Sequence, residues 1–176
     1  QMSSLPIAAY TDAANRQHYE LPPEFFRLML GPRLKYSCCL YPTGDETLAQ
    51  AEAAALEETV RRAGLAHGQN ILELGCGWGS LTLFMAVRFP GARITAVSNS
   101  ASQRAAIERQ AALAGLANVT VVTADVNQYR PVGPFDRIIS VEMFEHMSNW
   151  RTLLARLKSS LAPEGTLFLH VFSHRS

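Results

Sequence analysis

Five short apolar runs with helical stretches between them constrain this chain more than any other feature. They are Asn70-Ile71-Leu72-Glu73-Leu74, Arg93-Ile94-Thr95-Ala96-Val97, Val119-Thr120-Val121-Val122-Thr123, Asp136-Arg137-Ile138-Ile139-Ser140-Val141 and Thr166-Leu167-Phe168-Leu169-His170-Val171. They are rich in β-branched residues and mostly apolar at consecutive positions, the pattern of strands buried on both faces. Helical patterns fill residues 79–88, 100–115 and 149–161. The alternation predicts an α/β fold: a doubly wound, mostly parallel sheet with helices on both faces. Ligands of such sheets lie beyond the carboxyl ends of the strands, near the reversal in strand order. The residues just after each run are therefore the candidates for function.

Composition narrows the function classes. The 176 residues are about one domain's worth. With 48% apolar and 18% charged residues the chain can build a core and is not disordered. A net charge of +1, with lysines only at 35 and 158, excludes a polyanion-binding surface and so a nucleic-acid partner. No apolar stretch reaches the ~20 residues of a membrane span. Cys38, Cys39 and Cys76 give an odd count without disulfide or zinc spacing, which points to a reducing, cytoplasmic setting. The sequence carries no signal for oligomeric state.

Two zones organise the chain. Residues 1–44 lack long periodicity and precede the alternating region, as a segment distinct from it. Within them Pro22-Pro23 and Gly31-Pro32 bracket a short helix, and residues 34–41 read as extended or loop. Residues 45–176 form the ligand-binding domain, entered through a helix from Thr47 to Arg62 that Gly64 terminates. The chain opens on Gln and stops just after the last apolar run. Both ends read as cut points, and the final strand would be an exposed edge.

After the first run comes Glu73-Leu74-Gly75-Cys76-Gly77-Trp78-Gly79-Ser80. Glycines at every second position let the backbone approach a ligand and turn sharply into a helix. The spacing is tighter than the G-x-G-x-x-G of dinucleotide sites, and an acid stands two places before the first glycine. That combination suits a nucleoside with a small zwitterionic tail. After the second run, Asn99 stands where dinucleotide folds place a ribose-binding acid, with Gln103 one helical turn on; Asn99 and Ser100 also fit a simple helix cap. After the third run, Asp125 and Val126 could meet an exocyclic amine, or Asp125 could serve only as a turn residue.

After the fourth run comes Val141-Glu142-Met143-Phe144-Glu145-His146-Met147. If helical, it sets Glu142, Glu145 and His146 on one face. Two carboxylates beside an imidazole can hold a cationic amine and take its proton at neutral pH. The second histidine of H-E-x-x-H is missing, so no metal site is expected. Tyr36, Ser37, Cys38 and Cys39 sit in a loop that could close over a ligand, although composition alone favours plain packing of these side chains. His18, His67, His170 and His174 have no visible partners and read as incidental.

Four ordered stretches together resemble one known family. They are Leu72–Gly79, Leu34-Lys35-Tyr36-Ser37-Cys38-Cys39, Val97-Ser98-Asn99-Ser100-Ala101-Ser102-Gln103 and Val141–Met147. The chain resembles the cyclopropane fatty acid synthase superfamily of S-adenosylmethionine-dependent methyltransferases, in its coclaurine N-methyltransferase branch, from about Tyr19 onward. The resemblance implies the Rossmann-like methyltransferase sheet with an N-terminal helical cap. It implies S-adenosyl-L-methionine as cofactor, with contacts at Tyr36, Ser37, Gly75, Asn99, Gln103, Asp125, Val126 and Val141. Glu73, Gly77 and Gly79 complete the cofactor turn. It also implies a catalytic or substrate-orienting role for Glu142, Glu145 and His146. In cyclopropane synthases a glycine typically stands in place of Glu142 and a bicarbonate accepts protons. A second acid therefore favours a small-molecule amine substrate over lipid modification, with a non-catalytic cofactor-binding fragment as a further alternative. Relatives continue past the fifth strand, so the C-terminal part of the domain is expected to be missing here.

Overall fold

The computed structural model describes residues 5–9 and 22–173. His18, His174 and much of the expected cap lie outside them. Helix α1 (Pro23–Met29) starts on its proline, as the sequence predicts. Helix α2 (Leu48–Ala63) opens on a capping box in which Thr47 and Gln50 satisfy each other's backbone N–H. It closes on Gly64 at φ 61°, a left-handed cap that favours glycine. Then follow β1 (Asn70–Leu74), α3 (Ser80–Arg88), β2 (Arg93–Ser98), α4 (Ala101–Leu113) and β3 (Val119–Thr123). The chain continues with β4 (Phe135–Val141), a 3-10 turn at Phe144–His146, α5 (Trp150–Lys158) and β5 (Leu161–His170).

The five strands form one sheet in the order β3-β2-β1-β4-β5, and every pairing is parallel. Period two explains the consecutive apolar residues. Ile71 faces one core with Leu56 and Val60 of α2 and Leu81 and Met85 of α3. Its neighbour Leu72 faces the other, with Leu153 and Leu157 of α5. Ile107 of α4 packs with Cys76, Ala96 and Val121. Both cores fill with near-zero exposure at Ile71, Leu72, Met85, Ile138 and Ile139.

The last strand begins five residues before the predicted Thr166. Leu161 already pairs with Phe135, and a register shift before Arg137↔Thr166 absorbs the residues between. Pro163 and Gly165 hid that start in the sequence. An edge strand tolerates both at such an irregularity. Gly165 is needed there, because a Cβ would stand 2.6 Å from the Phe135 carbonyl oxygen.

The strand order reverses between β1 and β4, which opens a crevice beyond their carboxyl ends. The amino-terminal strap crosses beside this end of the sheet. Ala8 bridges Met147 in antiparallel fashion, and Ser148 and Asn149 donate to the Ile7 carbonyl. No helix among the described residues is long and apolar enough to cross a membrane.

Candidate active site

The glycine turn after β1 forms the floor of the site. The N–H groups of Gly75 and Cys76 both donate to the Val97 carbonyl at 3.0 Å, tying the turn to the end of β2. Gly79, at φ 85°, caps α3, and a Cβ on it would press to 2.6 Å from Ile107. Gly77, at φ 52°, has no heavy atom within 4 Å of where a Cβ would stand. One glycine thus serves packing, while the other leaves bare backbone facing open space.

A cavity of about 250 Å³ sits above this turn. It gathers Tyr36 and Ser37 from the loop before α2, and Glu73, Gly75 and Gly77 from the β1 turn. Val141, Glu142 and His146 enter from the end of β4, and Phe172 from beyond β5. Gly79, Asn99, Gln103, Asp125, Val126 and Glu145 are not among its lining residues.

Glu73 is buried, and its carboxylate accepts a 2.5 Å hydrogen bond from the Thr82 hydroxyl of α3. Burial pushes its pKa up to about 8, with the Thr82 bond acting in the opposite direction. Two further polar atoms beside the cavity, Trp78 Nε1 and Ser80 Oγ, are buried without a hydrogen-bond partner. An unsatisfied buried donor costs about 1–3 kcal/mol. Their placement fits a cavity meant to hold a polar guest.

Four of these residues, Asn99, Gln103, Asp125 and Val126, follow the second and third strands. The Ser98 hydroxyl donates to Gln103 Oε1 at 2.6 Å, while Gln103 Nε2 is buried and unpartnered. Ser100 caps α4, and Asn99 is exposed beside it. Asp125 accepts from the Asn127 N–H at 2.8 Å in a turn of its own. Val126 packs into the α5-side core and offers its carbonyl to Arg156 at 2.7 Å.

The acidic segment after β4 does not form the α-helical face that the spacing allows. Glu142 takes a left-handed φ of 50°, and a single 3-10 turn follows. Tertiary contacts fix this shape. The Glu142 N–H donates to the His170 carbonyl at 2.8 Å, and its Oε1 accepts from the Cys38 N–H at 3.1 Å. Glu145 Oε1 accepts from the Phe172 N–H at 2.6 Å, while its Oε2 is buried without a partner. His146 is exposed at the cavity rim.

His170, which reads as incidental in the sequence, stands 3.9 Å from the Cys38 sulfur. The Cys38 thiol, a Glu142 oxygen and a His170 nitrogen all lie within 4.8 Å of one another. Desolvation and then the Glu142 carboxylate push the Cys38 pKa up to about 11, so it stays a thiol at neutral pH. Phe172, Lys35 and Glu52 also escaped the sequence reading. Lys35 is buried and donates to the Ser37 hydroxyl. Glu52 had a signal: it shares the spacing of the buried residues Leu56, Thr59, Val60 and Ala63, so a charge sits on the apolar stripe of α2.

Comparison with known proteins identifies the family and relatives of the same fold. A family model described as mycolic acid cyclopropane synthetase matches residues 9–176. (S)-coclaurine N-methyltransferase of Thalictrum flavum subsp. glaucum is 39% identical over 175 residues, 99% of this chain and 48% of that protein. A crystal structure of coclaurine N-methyltransferase bound to N-methylheliamine and SAH superposes with a TM-score of 0.93 at 39% identity. It covers 96% of this chain and 49% of that one. The mycolic acid cyclopropane synthase CmaA1, complexed with SAH and CTAB, gives a TM-score of 0.81 at 28% identity, covering 90% of this chain and 56% of the other. The chain thus spans about half the length of the curated relatives it matches.

Proposed function

Since the chain belongs to the mycolic acid cyclopropane synthetase family, we propose that it is the cofactor-binding half of an S-adenosylmethionine-dependent N-methyltransferase acting on a small amine. The observation that carries this reading is the joint lining of one cavity by the glycine turn, Glu142 and His146. Support comes from the relatives named for N-methylation and from the SAH in the similar structures.

S-adenosylmethionine would be held by Tyr36, Ser37, Glu73, Gly75, Gly77 and Val141 around the cavity. Gly79, Asn99, Gln103, Asp125 and Val126 would support it from the adjoining turn and strand ends. When bound, it supplies a methyl group already activated on a sulfonium. The protein therefore mainly has to align donor and nucleophile. A protonated amine has no lone pair to attack with. Glu142 holds the ammonium form by opposite charge, and a His146 ring nitrogen accepts its proton. Glu145 keeps this turn in place through its bond to the Phe172 backbone. Residues 1–44 act as the cap and residues 45–176 as the cofactor domain. A reducing compartment such as the cytoplasm suits the three free thiols.

The family description and the CmaA1 likeness favour a second reading, cyclopropane-type modification of a lipid. Methyl transfer assayed side by side on secondary amines and on phospholipid vesicles separates the two. Turnover on amines alone supports the first reading, and turnover on vesicles alone replaces it. Calorimetry that finds SAH binding without any transfer would leave a cofactor-binding module.

A further inference from the structure

We infer that Glu52 of α2 is a positioning residue whose buried carboxylate fixes the loop of residues 31–38 over the cavity and, through it, sets Glu142; this rests on the cofactor reading above. The Glu52 side chain is fully buried. Its Oε2 accepts from the Arg33 N–H and its Oε1 from the Lys35 N–H, both at 3.0 Å. None of the ion pairs among the described residues involves it. Two backbone dipoles thus stabilise this charge, and such charge-assisted bonds are among the strong ones.

The loop is built around that carboxylate. Gly31 lies against it so closely that a Cβ would fall 2.5 Å from Oε2. Leu34, between the two clamped N–H groups, takes a left-handed φ of 52°. A bulky residue persists there only where its surroundings dictate it. The next residues, Lys35, Tyr36 and Ser37, line the cavity, and Cys38 then donates its N–H to Glu142. One carboxylate therefore governs a wall of the cavity and a hydrogen bond to the acid at its mouth.

The geometry needs two acceptors. Glutamine has the same shape but turns an NH₂ toward one of the two N–H donors, so a space-filling role would be rescued by Glu52→Gln and a clamp would not. The test compares wild type, Glu52→Gln, Glu52→Ala and a control from the same helix, Val60→Ala, which lies in the core outside the cavity lining. Two quantities are read where all are folded: the rate of Cys38 modification by a thiol reagent, located by peptide mass, and SAH affinity by calorimetry. Both Glu52 variants are expected to raise the Cys38 rate and weaken SAH binding by about tenfold, the size of one lost hydrogen bond. Val60→Ala should lower the melting temperature and leave both quantities at wild-type values.

Wild-type behaviour of Glu52→Gln in either measurement overturns the clamp. If Glu52→Ala does not fold, Glu52→Gln against Val60→Ala decides. If wild type itself binds no SAH, the cofactor reading fails, and the Cys38 rates alone decide the clamp.

Discussion

A carboxyl group sealed under a helix behaves unlike one in water, and Glu73 is the case in this chain. Its pKa of about 8 when folded compares with 4.5 when solvated. Between those values the folded state binds more protons than the unfolded one, so stability falls as pH rises through that window. The full penalty, on the order of a few kcal/mol, is present above the folded pKa. Glu73→Gln keeps an acceptor for Thr82 and removes the titration. Denaturant unfolding at pH 5, 7 and 9 should show declining stability in wild type and a much flatter profile in the variant. His146 tests the chemistry instead. His146→Ala should slow methyl transfer to an amine by roughly 10²-fold with SAH affinity near normal. Undiminished turnover would remove the imidazole from the mechanism. At this scale the sequence made Glu73, Glu142 and His146 legible, because strand ends mark where a pocket must lie. It could not pair Cys38 with His170, since their meeting depends on the parallel docking of β5 beside β4.

Among elements, the turn from β1 into α3 offers the sharpest contrast. Gly79→Ala places a methyl into Ile107 at a positive φ, and should cost more stability than Gly77→Ala. Gly77→Ala meets only the left-handed penalty of about 1 kcal/mol. Yet Gly77, unlike Gly79, lines the cavity, so its substitution should weaken SAH binding more than tenfold while the fold survives. Equal affinities in the two variants would mean that the turn does not cradle the ligand. The helices and the first four strands were readable because caps and apolar runs act locally. Thr47, Gly64 and Ser100 each stand where a helix boundary needs them. The 3-10 turn after β4 was not readable. Its shape comes from backbone bonds to residue 170 and side-chain bonds to residues 38 and 172, none of them near in sequence.

The whole molecule joins these pieces through the strand order. Alternating runs and helices implied a doubly wound sheet, and the reversal between β1 and β4 follows from that winding. The cavity then falls at the reversal, as open parallel sheets require. Ligand binding there should stabilise the fold as a unit. SAH at a hundredfold excess over its dissociation constant adds about 2.7 kcal/mol, which for a chain of this size means a rise of about 5–10 °C in melting temperature. A scan with no rise would mean that the cavity binds something else.

The strap at residues 5–9 ties the leading segment to the turn after β4 that carries His146. Asn127 exchanges two hydrogen bonds with Ala8, Asn149 holds the Leu5 carbonyl, and Ala8 bridges Met147, the residue next to His146. The leading residues thus act as a guy-rope on the turn that carries His146, the residue proposed to accept the proton. Ile7 of the strap is also buried in the α5-side core, so loss of these contacts would lower the melting temperature and, under the proposed chemistry, turnover as well.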